Sequence, residues 1–291
     1  MTRSGRWWTR PIAEMPPSPT IVVFDSGLGG LTVLREVVKA RPDAHFIYLA
    51  DDAAFPYGAI PEEALITRIM HVIGKAIAEH KPDLVIIACN TASTLALKEL
   101  RARYTVPFVG TVPAIKPACA HSQSKRVAVL GTQGTVHREY TMALIREFAA
   151  GCDVVLVGSP RLAGFAEGEL AGRPASDAEI AAEIAPCFVD EDGRRTDTVV
   201  LACTHYPLLT ARFKANAPWP VQWLDPAPAI ARRVADLLHE RPPASVPALL
   251  PQIAFTSGRS PAGKLAMALS GYGFPAMAPG PGQFDSRASA S

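Results

Sequence analysis

The sequence predicts an α/β fold with mostly parallel sheets, arranged as two pseudo-symmetric lobes around a cleft. Short apolar runs alternate with longer amphipathic segments, which is the pattern of strands joined by crossover helices. Each run is continuously apolar rather than alternating, as expected for strands that helices cover on both faces. The predicted strands are residues 20–24, 46–50, 84–88, 107–110, 126–130, 153–157, 198–202 and 221–224.

The segments between these runs predict helices. Ligands of parallel sheets bind beyond the carboxyl ends of the strands, so the residues that follow each strand are candidates for a functional site. The predicted helices are residues 31–39, 62–79, 94–103, 136–148, 177–188 and 227–240.

The pattern runs twice, and this repeat predicts the two lobes. One strand is followed by Cys89 and a later one by Cys203, and each cysteine opens a polar turn. Two similar lobes would therefore each place a cysteine at the cleft. Boundaries near residues 111–113 and 225–226 would assign residues 20–112 and 225–272 to one lobe and residues 113–224 to the other.

Composition and charge exclude several classes of partner. Lys and Arg number 29 against 27 for Asp and Glu, which is too balanced to indicate nucleic acid. No apolar run approaches the ~18 residues of a membrane span, and the N-terminal stretch lacks the apolar segment of a secretory signal.

The five cysteines are odd in number and widely spread, so a reducing cytoplasm is expected. Residues 1–19 and 276–291 are rich in Pro, Gly or Ser and are expected to be mobile tails.

A glycine-rich turn, DSGLGG at residues 25–30, follows the first predicted strand. Its glycines allow close backbone approach, and free N–H groups at a helix start favour an anion. Thr32 stands where a dinucleotide fingerprint needs its third glycine, so no nucleotide cofactor is expected. A tight turn capped by Asp25 is the structural alternative, but a carboxylate at a strand end is expected to point into the cleft.

The two cysteines indicate proton transfer to and from a carbon atom of the substrate. A cysteine at a helix N-terminus has a lowered pKa and a reactive thiolate, although cysteine is also a common small buried residue. Cys89 precedes such a helix, and His205 follows Cys203 closely enough to assist its proton transfer. Two thiols across a cleft suit a two-base reaction, in which one removes a proton and the other returns one on the opposite face. The configuration then inverts without a cofactor.

Three other interpretations use the same residues. Cys203 and His205 could bind a metal, but no further Cys/His pair has zinc spacing, so no metal is predicted. A Cys/His hydrolase would leave the second thiol idle. A two-lobed binding protein without activity would use the same cleft, but it gives no reason for paired reactive cysteines.

The motifs together resemble the glutamate racemase family of the aspartate/glutamate racemase superfamily. They occur in order and cover residues 21–209, and the set is far more specific than any one motif. The matching stretches are DSGLGG (25–30), PYG (56–58), CNTAS (89–93), VPAIKPA (112–118), GTQGTVHREY (131–140) and CTHYPLL (203–209).

The resemblance implies two α/β lobes with the active site between them. It also implies interconversion of L- and D-glutamate without pyridoxal phosphate, metal or nucleotide, with D-glutamate supplied to peptidoglycan. Related proteins are often homodimers, so a homodimer is a further expectation. Within the superfamily, a racemase for aspartate or hydantoin, or a related isomerase or decarboxylase, remains the alternative.

Carried over residue by residue, the resemblance implies that Cys89 is the base for the D-enantiomer and Cys203 the base for the L-enantiomer. Asp25 would support Cys89, and His205 would support Cys203, with Glu167 as a further catalytic acidic group. The positions that match substrate-binding residues are Asp25, Ser26, Pro56, Tyr57, Gly58, Asn90, Thr91, Thr132, Thr135, Thr204 and His205.

Overall fold

The structure, a computed structural model, describes residues 18–240 and 249–275. The tails expected to be mobile, residues 1–19 and 276–291, lie outside the described residues except for Ser18 and Pro19. Within the described ranges, none of the helices has both the length and the apolar character that crossing a membrane requires.

The first sheet has five parallel strands in the order β11-β2-β1-β3-β4. Its central strand is buried on both faces, because Ile21 and Val23 pack into one core while Val22 and Phe24 pack into another. The continuous apolar run therefore has the origin that the sequence predicts. The strands are β1 (Thr20–Asp25), β2 (His45–Ala50), β3 (Leu84–Ile87), β4 (Phe108–Gly110) and β11 (Gln252–Phe255).

Helices cover both faces of this sheet, and together they form what we call the first lobe. Three helices bury apolar residues on the face of Ile21: α1 (Leu31–Ala40), α10 (Ala227–Leu237) and α11 (Gly263–Gly271). Two helices cover the face of Val22: α2 (Glu62–His80) and α3 (Asn90–Arg103).

The second lobe repeats this plan around four parallel strands in the order β10-β9-β5-β6. The strands are β5 (Arg126–Gly131), β6 (Asp153–Gly158), β9 (Thr198–Ala202) and β10 (Gln222–Leu224). One face packs against α4 (Ile115–His121), α5 (Gln133–His137) and α6 (Glu139–Phe148). The other packs against α7 (Leu162–Leu170), α8 (Asp177–Ile184) and α9 (Thr210–Asn216). A short antiparallel hairpin joins β7 (Asp190–Glu191) to β8 (Arg194–Arg195).

The chain crosses between the lobes twice. It enters the second lobe after β4 and returns after β10, so that α10, β11 and α11 complete the first lobe. The two connecting segments lie side by side, since Val112, Pro113 and Pro226 line one apolar groove of about 320 Å³. The boundaries that assign residues 20–112 and 225–272 to one lobe stay a prediction.

The predicted fold class is confirmed, and all eight predicted strands are present, but several helices differ. The sequence pattern does not predict β11, the β7–β8 hairpin, or the helices α4, α7, α9 and α11. The helix predicted at 94–103 begins four residues earlier, at Asn90. The single helix predicted at 136–148 is two helices, interrupted at Arg138 by an extended backbone with φ −73° and ψ 143°.

Candidate active site

The carboxyl ends of strands from both sheets meet at one cavity between the lobes. Cys89 and Cys203 both line it, although they follow strands of different sheets. Phe55 and Ala163 also line it, and neither was predicted. The predicted residues in its wall are Ser26, Pro56, Tyr57, Gly58, Cys89, Asn90, Thr91, Thr132, Cys203, Thr204 and His205.

The lobes are closed on this cavity. Its volume is about 20 Å³, which is room for a water molecule and too little for an amino acid. The lobes must therefore separate to admit a substrate and close again around it.

Cys89 is the N-cap of α3, and its Sγ accepts a hydrogen bond from the Ala92 amide at 3.5 Å. Its thiol also donates to Ser26 Oγ at 3.7 Å. Burial, and then the nearby carboxylate of Asp25, raise the pKa of this thiol to about 12. The expectation of a lowered pKa is therefore wrong for this closed cleft, because desolvation outweighs the helix N-terminus.

Asp25 is fully buried behind the glycine-rich turn and is not part of the cavity wall. Its Oδ2 accepts hydrogen bonds from the amides of Gly30 at 3.0 Å and Gly27 at 3.3 Å, whereas Oδ1 has no partner among the described residues. Burial raises its pKa, against the opposing effect of His205. The expectation that this carboxylate points into the cleft is corrected: it shapes the turn from behind.

On the second lobe, His205 connects Cys203 to Glu167. Its Nδ1 lies 3.8 Å from Cys203 Sγ, and its Nε2 lies 3.0 Å from Glu167 Oε1. Burial lowers the pKa of His205, but the hydrogen bonds to Cys203 and Glu167 outweigh it and raise the pKa well above its usual value. Burial alone would raise the pKa of Glu167, but interactions led by the hydrogen bond to His205 outweigh burial and lower this pKa. The raised pKa of His205 and the lowered pKa of Glu167 both favour an ion pair between the two side chains.

Glu167 and His205 also contact the glycine-rich turn of the first lobe. Glu167 Oε1 accepts from the Leu28 amide at 2.6 Å, and His205 Nε2 lies 3.1 Å from the Gly29 amide. A Cβ atom at Gly29 would collide with the His205 ring, and one at Gly27 would collide with Glu167. The glycines are needed here because the two lobes touch through this backbone.

Three threonine hydroxyls join the lobes on the other side of the cavity. Thr91 Oγ1, at the start of α3, lies 3.1 Å from Thr132 Oγ1 and 3.3 Å from Thr135 Oγ1. Thr135 lies behind the cavity wall rather than in it. Next to them, both side-chain atoms of the buried Asn90 amide lack a partner among the described residues. A buried amide without partners is costly, so this position suits a polar ligand.

A buried carboxylate that the sequence analysis missed supports the cavity wall. Asp51 Oδ2 accepts a hydrogen bond from Arg68 Nε at 2.6 Å. It also accepts one from the Tyr57 hydroxyl. Its Oδ1 accepts from Thr256 Oγ1 and from Arg68 Nη2, each at 2.6 Å. Asp51 directly follows β2, and this place at a strand end could have marked it as a candidate site residue. Arg68 in the middle of α2 and Thr256 after β11 have no such feature in the sequence.

In the part of the chain that the structure describes, no group of three or more His, Cys, Asp or Glu side chains is arranged to hold a metal ion.

The Asp/Glu/hydantoin racemase family matches residues 25–234, and the chain belongs to this family. Glutamate racemase from Brucella canis is 51% identical over 270 residues, which are 90% of this chain and 98% of that protein. Glutamate racemase from Brucella anthropi is 56% identical over 230 residues, covering 79% and 81%.

A solved structure gives the same grouping. Escherichia coli glutamate racemase, crystallised with L-glutamate and the activator UDP-MurNAc-ala, superposes with a TM-score of 0.81 at 38% identity. The match covers 89% of this chain and 96% of that one. Within the family, the chain therefore groups with the glutamate racemases, which are isomerases.

Proposed function

We propose that this protein interconverts L- and D-glutamate by proton transfer between Cys89, Cys203 and the substrate α-carbon. The observation that carries the proposal is that both thiols line one small cavity from opposite lobes. An α-carbon held between them can lose its proton to one sulfur, which leaves a planar carbanion. The carbanion can then gain a proton from the other sulfur on the opposite face.

In the L-to-D direction, Cys203 removes the α-proton as a thiolate, and the Cys89 thiol gives its proton to the opposite face. Cys203 then carries the new S–H, and Cys89 is left as the thiolate. The D-to-L direction reverses both transfers. In the closed cleft the raised pKa of Cys89 keeps this thiol protonated, which is the state that an acid for the L-to-D direction needs.

The surrounding groups supply the stabilisation that the weakly acidic α-proton requires. His205, whose pKa is raised, lies beside Cys203 and serves as that sulfur's proton partner. Cys89, in the cavity wall, is the N-cap of α3, and the N–H groups at a helix N-terminus favour developing negative charge. Closure of the lobes excludes water, which strengthens these interactions.

Glutamate as the substrate is supported by the polar groups of the wall. The unpartnered Asn90 amide and the hydroxyls of Thr91 and Thr132 offer donors and acceptors to carboxylate and ammonium groups. The Escherichia coli structure, which contains L-glutamate, supports the same assignment.

The test is to incubate purified protein with D-glutamate or L-glutamate, without added cofactor, and to follow circular dichroism. The signal should decay to zero from either enantiomer. Cys89→Ala and Cys203→Ala should each lower the rate by ~10²–10⁴-fold. Cys187→Ala is the matched control, because Cys187 is equally buried in the second-lobe core but lies outside the cavity. Full turnover by Cys89→Ala would refute the mechanism.

A panel of aspartate, hydantoins and other amino acids in the same assay separates glutamate from the other substrates of the family. Faster racemisation of aspartate than of glutamate would overturn the substrate assignment while leaving the two-thiol mechanism intact.

We further propose that the product D-glutamate serves peptidoglycan synthesis in the cytoplasm, a setting that suits five unpaired thiols. Expression of the gene should restore growth of a bacterial strain that requires D-glutamate in its medium. Failure of the active protein to restore growth would count against this role.

A further inference from the structure

Arg138 belongs to the second lobe, but its side chain ends in the first. It lies at the break between α5 and α6, where its extended backbone interrupts what the sequence predicts as one helix. The break turns its side chain away from the second-lobe core and towards α2 and α3. The side chain is 9% exposed, so the guanidinium is buried between the lobes.

Among the described residues, all the hydrogen bonds of this guanidinium go to the first lobe. Nη1 donates to the Thr91 carbonyl at 2.7 Å and to Thr94 Oγ1 at 3.3 Å. Nε donates to Glu62 Oε1 at 3.1 Å, at the first residue of α2. Glu62 is 63% exposed, so the contact with the first turn of α3 is the better shielded of the two.

The first turn of α3 carries the candidate catalytic groups of this lobe. Cys89 is its N-cap, Asn90 offers the unpartnered amide, and Thr91 meets Thr132 through their hydroxyls. A guanidinium anchored on the Thr91 carbonyl therefore fixes the turn that holds Cys89 against the lobe that holds Cys203.

Arg138 differs from the other contacts across the cleft. Glu167 and His205 also bridge the lobes, but they belong to the proposed proton-transfer machinery. Arg138 does not line the cavity, and the cavity must open for each substrate. Because the Arg138 hydrogen bonds join the two lobes, we infer that opening must break them and closing must remake them.

We propose that Arg138 is a positioning residue that fastens the closed cleft by holding the first turn of α3. The proposal rests on the proposed function for its kinetic readout. Substrate stays bound only when the lobes close around it, so the apparent affinity falls in proportion to the fraction of protein that closes. Loss of Arg138 therefore acts on KM, while the closed complex, once formed, reacts as before.

The kinetic test compares Arg138→Met, which keeps the length of the side chain, with Arg146→Met, an exposed arginine of α6 whose ion pair stays within its own helix. Arg138→Met should raise KM for both enantiomers ~10- to 100-fold and change kcat less than about threefold. Glu62→Gln, which removes only the exposed ion pair, should raise KM less than ~5-fold. Arg146→Met should change neither.

A second measurement does not need activity. Hydrogen–deuterium exchange of the unliganded protein should be faster in residues 88–97 and 132–138 of Arg138→Met, and unchanged in α8. If the wild type does not racemise glutamate, the proposed function fails, and this measurement still decides the role of Arg138. Should Arg138→Met fold poorly, Arg138→Lys keeps the charge and loses the forked geometry, and it should show the same changes to a smaller degree.

Unchanged KM together with unchanged exchange would overturn the proposal. So would a variant that loses only thermal stability, or one that loses kcat at constant KM, because the first is a purely structural role and the second a transition-state contact.

Discussion

Cys89 and Cys203 occupy equivalent strand ends, but their neighbours make them chemically different. Cys89 is beside a buried carboxylate, Asp25, and its pKa is raised to about 12. Cys203 is beside His205, and the hydrogen bonds to Cys203 and Glu167 raise the pKa of this imidazole. The two lobes therefore repeat a backbone plan while giving the two sulfurs opposite electrostatic surroundings.

Substitution of His205 tests this difference. We expect His205→Asn to lower kcat/KM by ~10²–10⁴-fold, and by the same factor in both directions. Enantiomers have equal free energies in water, and both directions share one transition state, so kcat/KM cannot change unequally. Any asymmetry must appear in kcat and KM separately. Circular dichroism from each enantiomer measures all four constants, and unchanged values would reject a role for His205.

Tyr57 tests the support of the cavity wall by Asp51. Because hydrogen bonds to charged groups contribute ~1.5–3 kcal/mol, Tyr57→Phe should lower the free energy of unfolding by that amount in urea titrations. Tyr140→Phe is the control, since Tyr140 is 42% exposed and should tolerate the change. Equal stability of the two variants would show that the bond to Asp51 contributes little.

At the scale of residues, the sequence predicts a site residue well when a motif lies at the end of a predicted strand. Cys89, Asn90 and Cys203 follow buried strands directly, and the structure brings them together. Asp25 also follows a strand, but its Oδ2 accepts hydrogen bonds from the backbone of the turn. The sequence pattern fixes the position of a residue along the chain, whereas the direction of its carboxylate depends on which amide groups the turn presents.

At the scale of elements, strands are better predicted than helices. The central strands are short, apolar and buried on both faces, so their pattern is plain. By contrast, α7 contains two glycines and has no strong amphipathic pattern, and the short α4 contains Pro117. The start of α3 was missed because Asn90 and Thr91 have the composition of a polar turn, whereas the Cys89 thiol caps the helix.

The helix α8 begins with a capping box, in which Ser176 and Glu179 satisfy each other's backbone amides. Ser176→Ala should lower the free energy of unfolding by ~1 kcal/mol and leave racemisation unchanged, because α8 lies outside the cavity. Ser270→Ala, in an exposed part of α11, should be neutral by comparison. Thermal melts and the circular dichroism assay check both points; a loss of activity in Ser176→Ala would contradict them.

The glycine-rich turn must lie against His205. Gly29→Ala places a methyl group where the His205 ring lies, so the turn and the ring must move apart. A displacement of about 1 Å at a reacting group costs ~10²-fold in rate, and we expect a loss of kcat/KM of that order. Gly164→Ala in α7 has open space around the new methyl group and should retain full activity. Normal kinetics for Gly29→Ala would show that the turn adapts.

At the scale of the whole molecule, closure of the lobes buries His205 between Glu167 and Asp25, and this makes stability depend on pH. The folded pKa of His205 lies well above its usual 6.5. The folded protein therefore binds a proton that the unfolded chain releases above pH 6.5. Its stabilisation is complete below pH 6.5 and is lost as pH rises through the folded pKa.

Wild type and His205→Asn should accordingly differ most in free energy of unfolding near pH 6. The difference should shrink at higher pH by up to about 1.4 kcal/mol per pH unit. Urea titrations between pH 6 and 9 measure it. A constant difference across this range would show that the folded and unfolded pKa values of His205 are alike.

The double crossing between the lobes has a mechanical consequence. Val112, Pro113 and Pro226 place the two linking segments next to each other, so these adjacent connections favour a hinge rotation of one lobe against the other. A hinge rotation would move the sulfur atoms of Cys89 and Cys203 apart and return them to the same relative position. Each closure then realigns the proton donor and the proton acceptor, because the two backbone connections guide the lobes back together.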